Sequence, residues 1–176
     1  AASDVYKGQG PDWHRAGRAT PSHSTLCLGG YSSARLGKPV KTSGVYRELL
    51  VEAPKIVPVE MSQTAEGVKF EGAHSGYVPP FGLTHARKLS LSLDGRSLAG
   101  EDLLIALDDT AGNAGETVLS DDINPNVDFQ IRFHLHPEVD AALDLGGTTV
   151  AIAAKSGEIW IFRHESKLSL TIEPGV

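Results

Sequence analysis

The stretch D-F-Q-I-R-F-H-L-H-P, residues 128–137, decides the fold class of this chain. Phe129, Ile131, Phe133 and Leu135 fall on one side of an extended backbone, and Gln130, Arg132, His134 and His136 on the other. Successive side chains on a strand point to opposite faces, so apolarity with a period of two specifies a half-buried strand. The same alternation returns in R-K-L-S-L-S-L-D-G (87–95) and in K-L-S-L-T-I-E (167–173). No segment carries a 3.6-residue period, and 29–42 is interrupted by Gly and Pro.

Outward from that stretch, strand signals recur at short intervals: 24–28, 46–52, 56–63, 68–74, 84–93, 96–107, 127–136, 141–145, 148–154, 158–163 and 167–173. Asp94-Gly95 sits between L-S-L and R-S-L as a two-residue hairpin signal. Gly146-Gly147 and Ser156-Gly157 separate the last strands, which makes the C-terminal third a meander. Residues 1–22, rich in Gly, Pro and polar groups, read as an extended lead-in, and 23–176 as one β domain. The pattern predicts an all-β chain, an antiparallel β-sandwich of two sheets packed face to face. The longest connection, 108–126, is acidic and contains Gly. In E-I-W-I-F-R (158–163) both faces are apolar, which predicts cover on both, from the second sheet and from a loop or neighbouring domain.

At 176 residues the chain suits one well-filled domain. Sixteen Lys and Arg against 22 Asp and Glu give a net charge of −6, so the basic footprint of a nucleic-acid binder is missing. No apolar run approaches the ~20 residues of a membrane helix. No signal peptide is read at the N-terminus, although Ala1-Ala2-Ser3 looks like the start of a processed product or of a piece of something longer. The single cysteine, Cys27, rules out an internal disulfide and reads as a buried, inert thiol.

Several side chains could carry chemistry. His23, where a polar lead-in becomes a strand, could bind zinc through a neutral ring nitrogen, but a surface or turn histidine is the plainer reading. His134 and His136 have the i, i+2 spacing that sets two imidazoles side by side on a strand, against the alternative of a solvated polar face. H-S-G-Y-V-P-P-F-G-L-T-H-A-R-K-L gathers His74, Tyr77, His85 and Arg87. Tyrosine beside histidine can move protons. In a Pro-rich bend it more often packs its ring while its hydroxyl meets a backbone group. His85 and Arg87, two apart on a strand, would share a face as an anion grip. D-I-N-P-N-V-D (122–128) lacks the Gly and terminal Glu of a calcium loop. Asp94 belongs to a turn, and Glu101 and Asp102 are neighbours on a strand that point apart, so no catalytic carboxylate pair is read.

Taken together, W-H-R-A-G-R-A-T-P-S-H-S-T-L (13–26), H-x-G-Y with F-G-L-x-H-x-R-K-L (74–89), D-G-R-x-L-x-G-E-D (94–102), I-R-F-H-L-H-P (131–137) and S-G-E-I-W-I-F-R (156–163) resemble the C-terminal β-domain of heparinase II/III-like proteins, which are bacterial polysaccharide lyases. The resemblance runs in order over nearly the whole chain. It implies an α/α-toroid preceding a β-sandwich, with an acidic glycan such as a glycosaminoglycan in the cleft between them, in the periplasm or outside the cell. It implies β-elimination at a uronate, in which a tyrosine and a histidine move protons. The family's catalytic tyrosine belongs to the toroid and its second histidine to a segment before this match, so neither is in this chain. His23 matches a histidine that looks like a zinc ligand in metal-containing relatives, and its co-ligands would precede Ala1. The resemblance therefore implies a chain inactive alone, with His74, Tyr77, His85 and Arg87 as cleft candidates.

Two rival readings remain. One is a non-catalytic glycan-binding or structural module, favoured if Trp13, Tyr31 or Tyr77 forms an exposed aromatic platform. The other is a metal-dependent enzyme centred on His134 and His136.

Overall fold

In a computed structural model, which describes residues 11–106, 127–166 and 168–174, four alternating segments pair in chain order as an antiparallel meander. They are β6 (Val59–Thr64), β7 (Gly67–Tyr77), β8 (Leu83–Ser92) and β9 (Leu98–Ala106). Register puts Val59 and Met61, Val68, Phe70 and His74, Leu83, His85, Arg87, Leu89 and Leu91, and Leu98, Asp102 and Leu104 on one face. The opposite face carries Glu60, Ser62, Lys69, Glu71, Lys88, Ser90 and Glu101, which is why the sequence alternates. The chain is all-β, built from several antiparallel sheets in the manner of a β-sandwich.

It divides into two compact units, Ala1–Arg132 and Phe133–Val176. In the first, β1 (Leu26–Leu28) pairs with β10 (Phe129–Ile131) as a ribbon that packs on one end of the meander. Leu26, Leu28, Tyr77 and Leu83 form the buried cluster there, with Phe81, Leu104, Val127 and Ile131 packed against it. Leu28 and Tyr77 are fully buried. Two small ribbons complete the unit: β2 (Arg35–Leu36) with β5 (Leu50–Glu52), and β3 (Val40–Thr42) with β4 (Val45–Arg47). In the second unit, β11 (Asp140–Asp144), β12 (Thr149–Ala153) and β13 (Ile159–Arg163) form the expected meander, with the Phe133 and Phe162 rings 5.3 Å apart.

Five local expectations are corrected. Pro11–Ala16, inside the lead-in expected to be extended, is a short helix, α1. Proline presets its first φ, and the Gly17 N–H closes it on the Trp13 carbonyl at 2.9 Å; six residues are too few to show a period. Val78–Phe81, the Pro-rich bend, is likewise one helical turn, α2, ended by Gly82 at φ 70°. The strand expected at 46–52 is two, β4 and β5, because its halves pair with different partners; Ser43 and Gly44, both at positive φ, turn β3 into β4. The strand expected at 127–136 is regular only over Phe129–Ile131, and 168–174 form no strand despite their alternation. Alternation records which side chains prefer burial, but it does not by itself set where a regular ladder of hydrogen bonds begins and ends.

The Asp94-Gly95 turn is looser than expected: the Ser92 N–H meets the Ser97 carbonyl at 2.9 Å, leaving four residues in the loop. The centre of the hairpin is unchanged, so the register is too. Among the described residues one face of 158–163 stays open, with Ile159 70 % and Ile161 60 % exposed. The connection at 108–126 lies outside the described residues, as does most of the rejected calcium loop at 122–128.

Burial divides the meander face sharply between its two ends. Leu28→Ala should cost about 2–5 kcal/mol, read as a lower urea midpoint at unchanged m-value. Met61→Ala, at a side chain 70 % exposed on the open end of the same face, should stay within about 0.5 kcal/mol.

Candidate functional site

Between the covered and open ends of that face lies a row of polar side chains. The hairpin register sets Arg87 of β8 opposite Asp102 of β9, and the next register sets His74 of β7 opposite His85 of β8. Arg87 grips the carboxylate with two hydrogen bonds, Nε to Oδ1 at 2.7 Å and Nη2 to Oδ2 at 2.8 Å. His85 Nε2 lies 2.7 Å from the same Oδ1, and its Nδ1 lies 3.1 Å from His74 Nε2. One end of the chain closes on main chain, where Arg87 Nη1 donates to the Ser24 carbonyl at 2.6 Å. The other end closes likewise, where the Gly76 N–H donates to His74 Nδ1 at 3.2 Å.

Tyr77 belongs beside this row because β7 slips register between His74 and Tyr77. One extra residue in a strand reverses the parity of the residues after it, so side chains three apart reach the same face. The Tyr77 ring packs 5.4 Å from that of His74, and its hydroxyl donates to the Leu26 carbonyl at 3.0 Å. Burial pushes its pKa up to about 12. The phenol is therefore a buried strut of the β1 contact, as the packing alternative expected, and it forms no aromatic platform. Trp13 and Tyr31 are exposed, the Tyr31 ring edge-on to Phe81 at 5.3 Å.

The electrostatics follow from this bonding and burial. Burial would raise the Asp102 pKa, but hydrogen bonds from His85 and Arg87 and the guanidinium charge of Arg87 outweigh it and hold the carboxyl below its ordinary value. Burial, and then the charge His85 would carry, push the His74 pKa down. Cys27 is buried with its Sγ 3.3 Å from the Tyr31 carbonyl, and burial raises its pKa. The site contains a bound anion, but that anion is the protein's own carboxylate. His85 and Arg87 do share a face, and Asp102 occupies their grip.

The remaining candidates are His23 in the first unit and His134 and His136 in the second. His23 is exposed at the end of the turn Thr20–Ser22, whose Ala19 and Thr20 carbonyls take the Ser22 and His23 N–H groups, each at 3.0 Å. His134 and His136 are exposed beyond the end of β10, and His136 Nδ1 accepts the Glu138 N–H at 3.2 Å. Among the described residues no three His, Cys, Asp or Glu side chains are grouped to hold a metal, and no helix is long and apolar enough to cross a membrane.

Asp102 was the residue missed by reading the strand alone. Its signal was available: a hairpin centred on Asp94-Gly95 sets Arg87 opposite Asp102. Asp102→Asn removes the charge that balances Arg87 and sets an N–H2 donor against Arg87 Nη2 or His85 Nε2, beside side chains 16 % and 4 % exposed. It should cost about 3–5 kcal/mol by chemical denaturation at pH 7. The depressed carboxyl stabilises the fold above its ordinary pKa of 3.8, a contribution lost as pH falls through the lowered value. The variant should lack that acid-side loss.

Comparison with known proteins shows the family of the chain. The family model described as heparinase II/III-like, C-terminal, matches residues 3–176. FtsZ-localized protein C of Caulobacter vibrioides is 33 % identical over 119 residues, which cover 66 % of this chain and 19 % of that protein. No solved structure matches.

Proposed function

Because the chain belongs to the heparinase II/III-like C-terminal family, we propose that it is the β-sandwich portion of a longer bacterial polysaccharide lyase. That enzyme cleaves a uronate-containing glycan by β-elimination, in the periplasm or outside the cell. The observation that carries this reading is the family match over residues 3–176, joined to the state of the tyrosine and histidines in the row. Elimination needs a base within reach of the sugar's α-proton and an acid at the leaving oxygen. Tyr77 is fully buried and donates to a main-chain carbonyl, while His74 and His85 spend their ring nitrogens on each other, on Gly76 and on Asp102. The proton-transfer groups therefore come from preceding polypeptide, an α/α-toroid domain in this reading.

The open half of the meander supports a neighbour as well. Val59, Met61, Leu91 and Leu98 are exposed together on the face whose other end forms the core. A contiguous apolar sheet face of this kind marks an interface. His23, exposed at the mouth of β1, would contribute one zinc ligand, with the others supplied from before Ala1.

A second reading is favoured by a separate observation. The curated relative is named for where it localises rather than for a reaction, so the chain is alternatively a non-catalytic module that binds glycan or a protein partner.

The two readings part on one assay. The chain alone and the longer protein that contains it are incubated with heparan sulfate, alginate and oligouronides, and unsaturated-uronate absorbance is followed. Product from the longer protein and none from the chain is the expected outcome. Turnover by the chain alone overturns the lyase-domain reading, and binding without turnover by the longer protein establishes the module.

A further inference from the structure

The hydrogen bonds of the row fix the proton on each ring. Asp102 is a carboxylate and only accepts, so His85 Nε2 carries a hydrogen. His74 Nδ1 accepts from the Gly76 N–H and carries none, so the His74 hydrogen sits on Nε2. That hydrogen points at His85 Nδ1, which must therefore be bare. Both rings are neutral, and the assignment is unique. A proton added to His85 Nδ1 would face the His74 Nε2–H; a proton added to His74 Nδ1 would face the Gly76 N–H. Either way one hydrogen bond must break.

Both ends of the row bear on the same turn. Gly76 lies flush against Ser33, so closely that a Cβ on Gly76 would collide with the Ser33 carbonyl oxygen. Ser33 in turn donates its N–H to Thr20 Oγ1 at 2.9 Å, and their hydroxyls lie 3.2 Å apart. Thr20 is buried and opens the turn that ends at His23. From the other side, Arg87 holds the Ser24 carbonyl, and Arg87 is oriented by the carboxylate that also takes His85. Residues 20–24 are thus held at one end through Gly76 and Ser33, and at the other through Arg87.

We propose that the His74–His85 pair is a proton-operated latch on residues 20–24: neutral, it fixes the turn that presents His23, and proton uptake releases it. The charged and titratable groups facing the pair are few. His74 meets His85 and the Tyr77 ring, which in turn lies against Cys27; His85 meets Asp102, whose charge Arg87 already balances. No carboxylate among the described contacts of His74 rewards its protonation, in agreement with the downward push of burial and of His85 on that ring. Because the folded state disfavours the charged ring, the latch is intact above the ordinary imidazole value of 6.5 and weakens as pH falls below it. The latch acts on placement of the turn, whether or not His23 binds a metal.

Imidazole and amide nitrogen NMR of the labelled chain, from pH 7.5 downward, tests it. At pH 7.5 His74 and His85 should both show the Nε2–H form. As the pair takes up a proton, the Gly76, Ser33 and Thr20 amide signals should move with the midpoint of the pair and not with that of His23. His74→Gln offers an N–H2 to His85 and takes up no proton, so the shared midpoint at Ser33 and Thr20 should vanish. The proposal fails if either ring shows the other tautomer at pH 7.5. It also fails if the pair charges while Ser33 and Thr20 stay still, or if H74Q leaves their midpoint in place. The measurements on the unsubstituted chain decide the matter even if H74Q does not fold.

Discussion

A single carboxylate, Asp102, ties together three strands and the approach to a fourth. It takes both forks of Arg87 and the Nε2–H of His85, and through them it reaches Ser24 before β1 and His74 on β7. Removing such a charge from water costs several kcal/mol, and the cost is offset only where every lone pair and every proton has a partner. Here each atom of the row that points inward is matched, and both ends finish on main chain. A network satisfied to that degree specifies one arrangement, because any slip of register would leave an ion unpaired in a place with little water.

That constraint divides the meander face into zones. Above the row, β1 and β10 lay Leu26, Leu28 and Ile131 over Tyr77, Leu83 and Leu104, and a core forms. Val59 is level with Arg87 and Asp102, and below the row the same face continues as Met61, Leu91 and Leu98; all four stay exposed. The row marks the limit of what the β1–β10 ribbon covers. It also shows where the polar atoms of residues that look reactive in sequence are bonded. Histidine, tyrosine and arginine are proton-transfer groups only when an atom is left over for a substrate. In this row the atoms are spent internally, which leaves the edge turn ending at His23 as the exposed neighbour of a rigid support.

Much of the architecture was legible because sheet physics writes itself locally. The meander β6–β9 follows from alternation in 56–63, 68–74, 84–93 and 96–107, and the Asp94-Gly95 turn fixes the register that pairs Arg87 with Asp102. The site was half legible: His85 and Arg87 were placed on one face as an anion grip, but the anion itself was overlooked, since Asp102 and Glu101 were weighed only as a pair. Tyr77 could not be placed by counting. Its parity with His74 is wrong for a regular strand, and only the slip at residues 75–76 corrects it. The short helix Pro11–Ala16 and the splitting of 46–52 escaped for a related reason: each is shorter than the period that would announce it.

The sequence by itself determined the all-β class, the order of the main hairpins and the family to which the chain belongs. The first two depend on which side chains alternate and which dipeptides turn, both local properties of a polypeptide; the family rests on motifs matched in order along the chain. The tertiary structure decided which strands found partners, which half of the meander was covered, and what the polar atoms of His74, Tyr77, His85 and Arg87 bond to. Whether a polar atom is spent or spare depends on what other segments bring within 3 Å of it, here the Leu26 carbonyl for Tyr77 and the Ser24 carbonyl for Arg87, at separations of 51 and 63 residues.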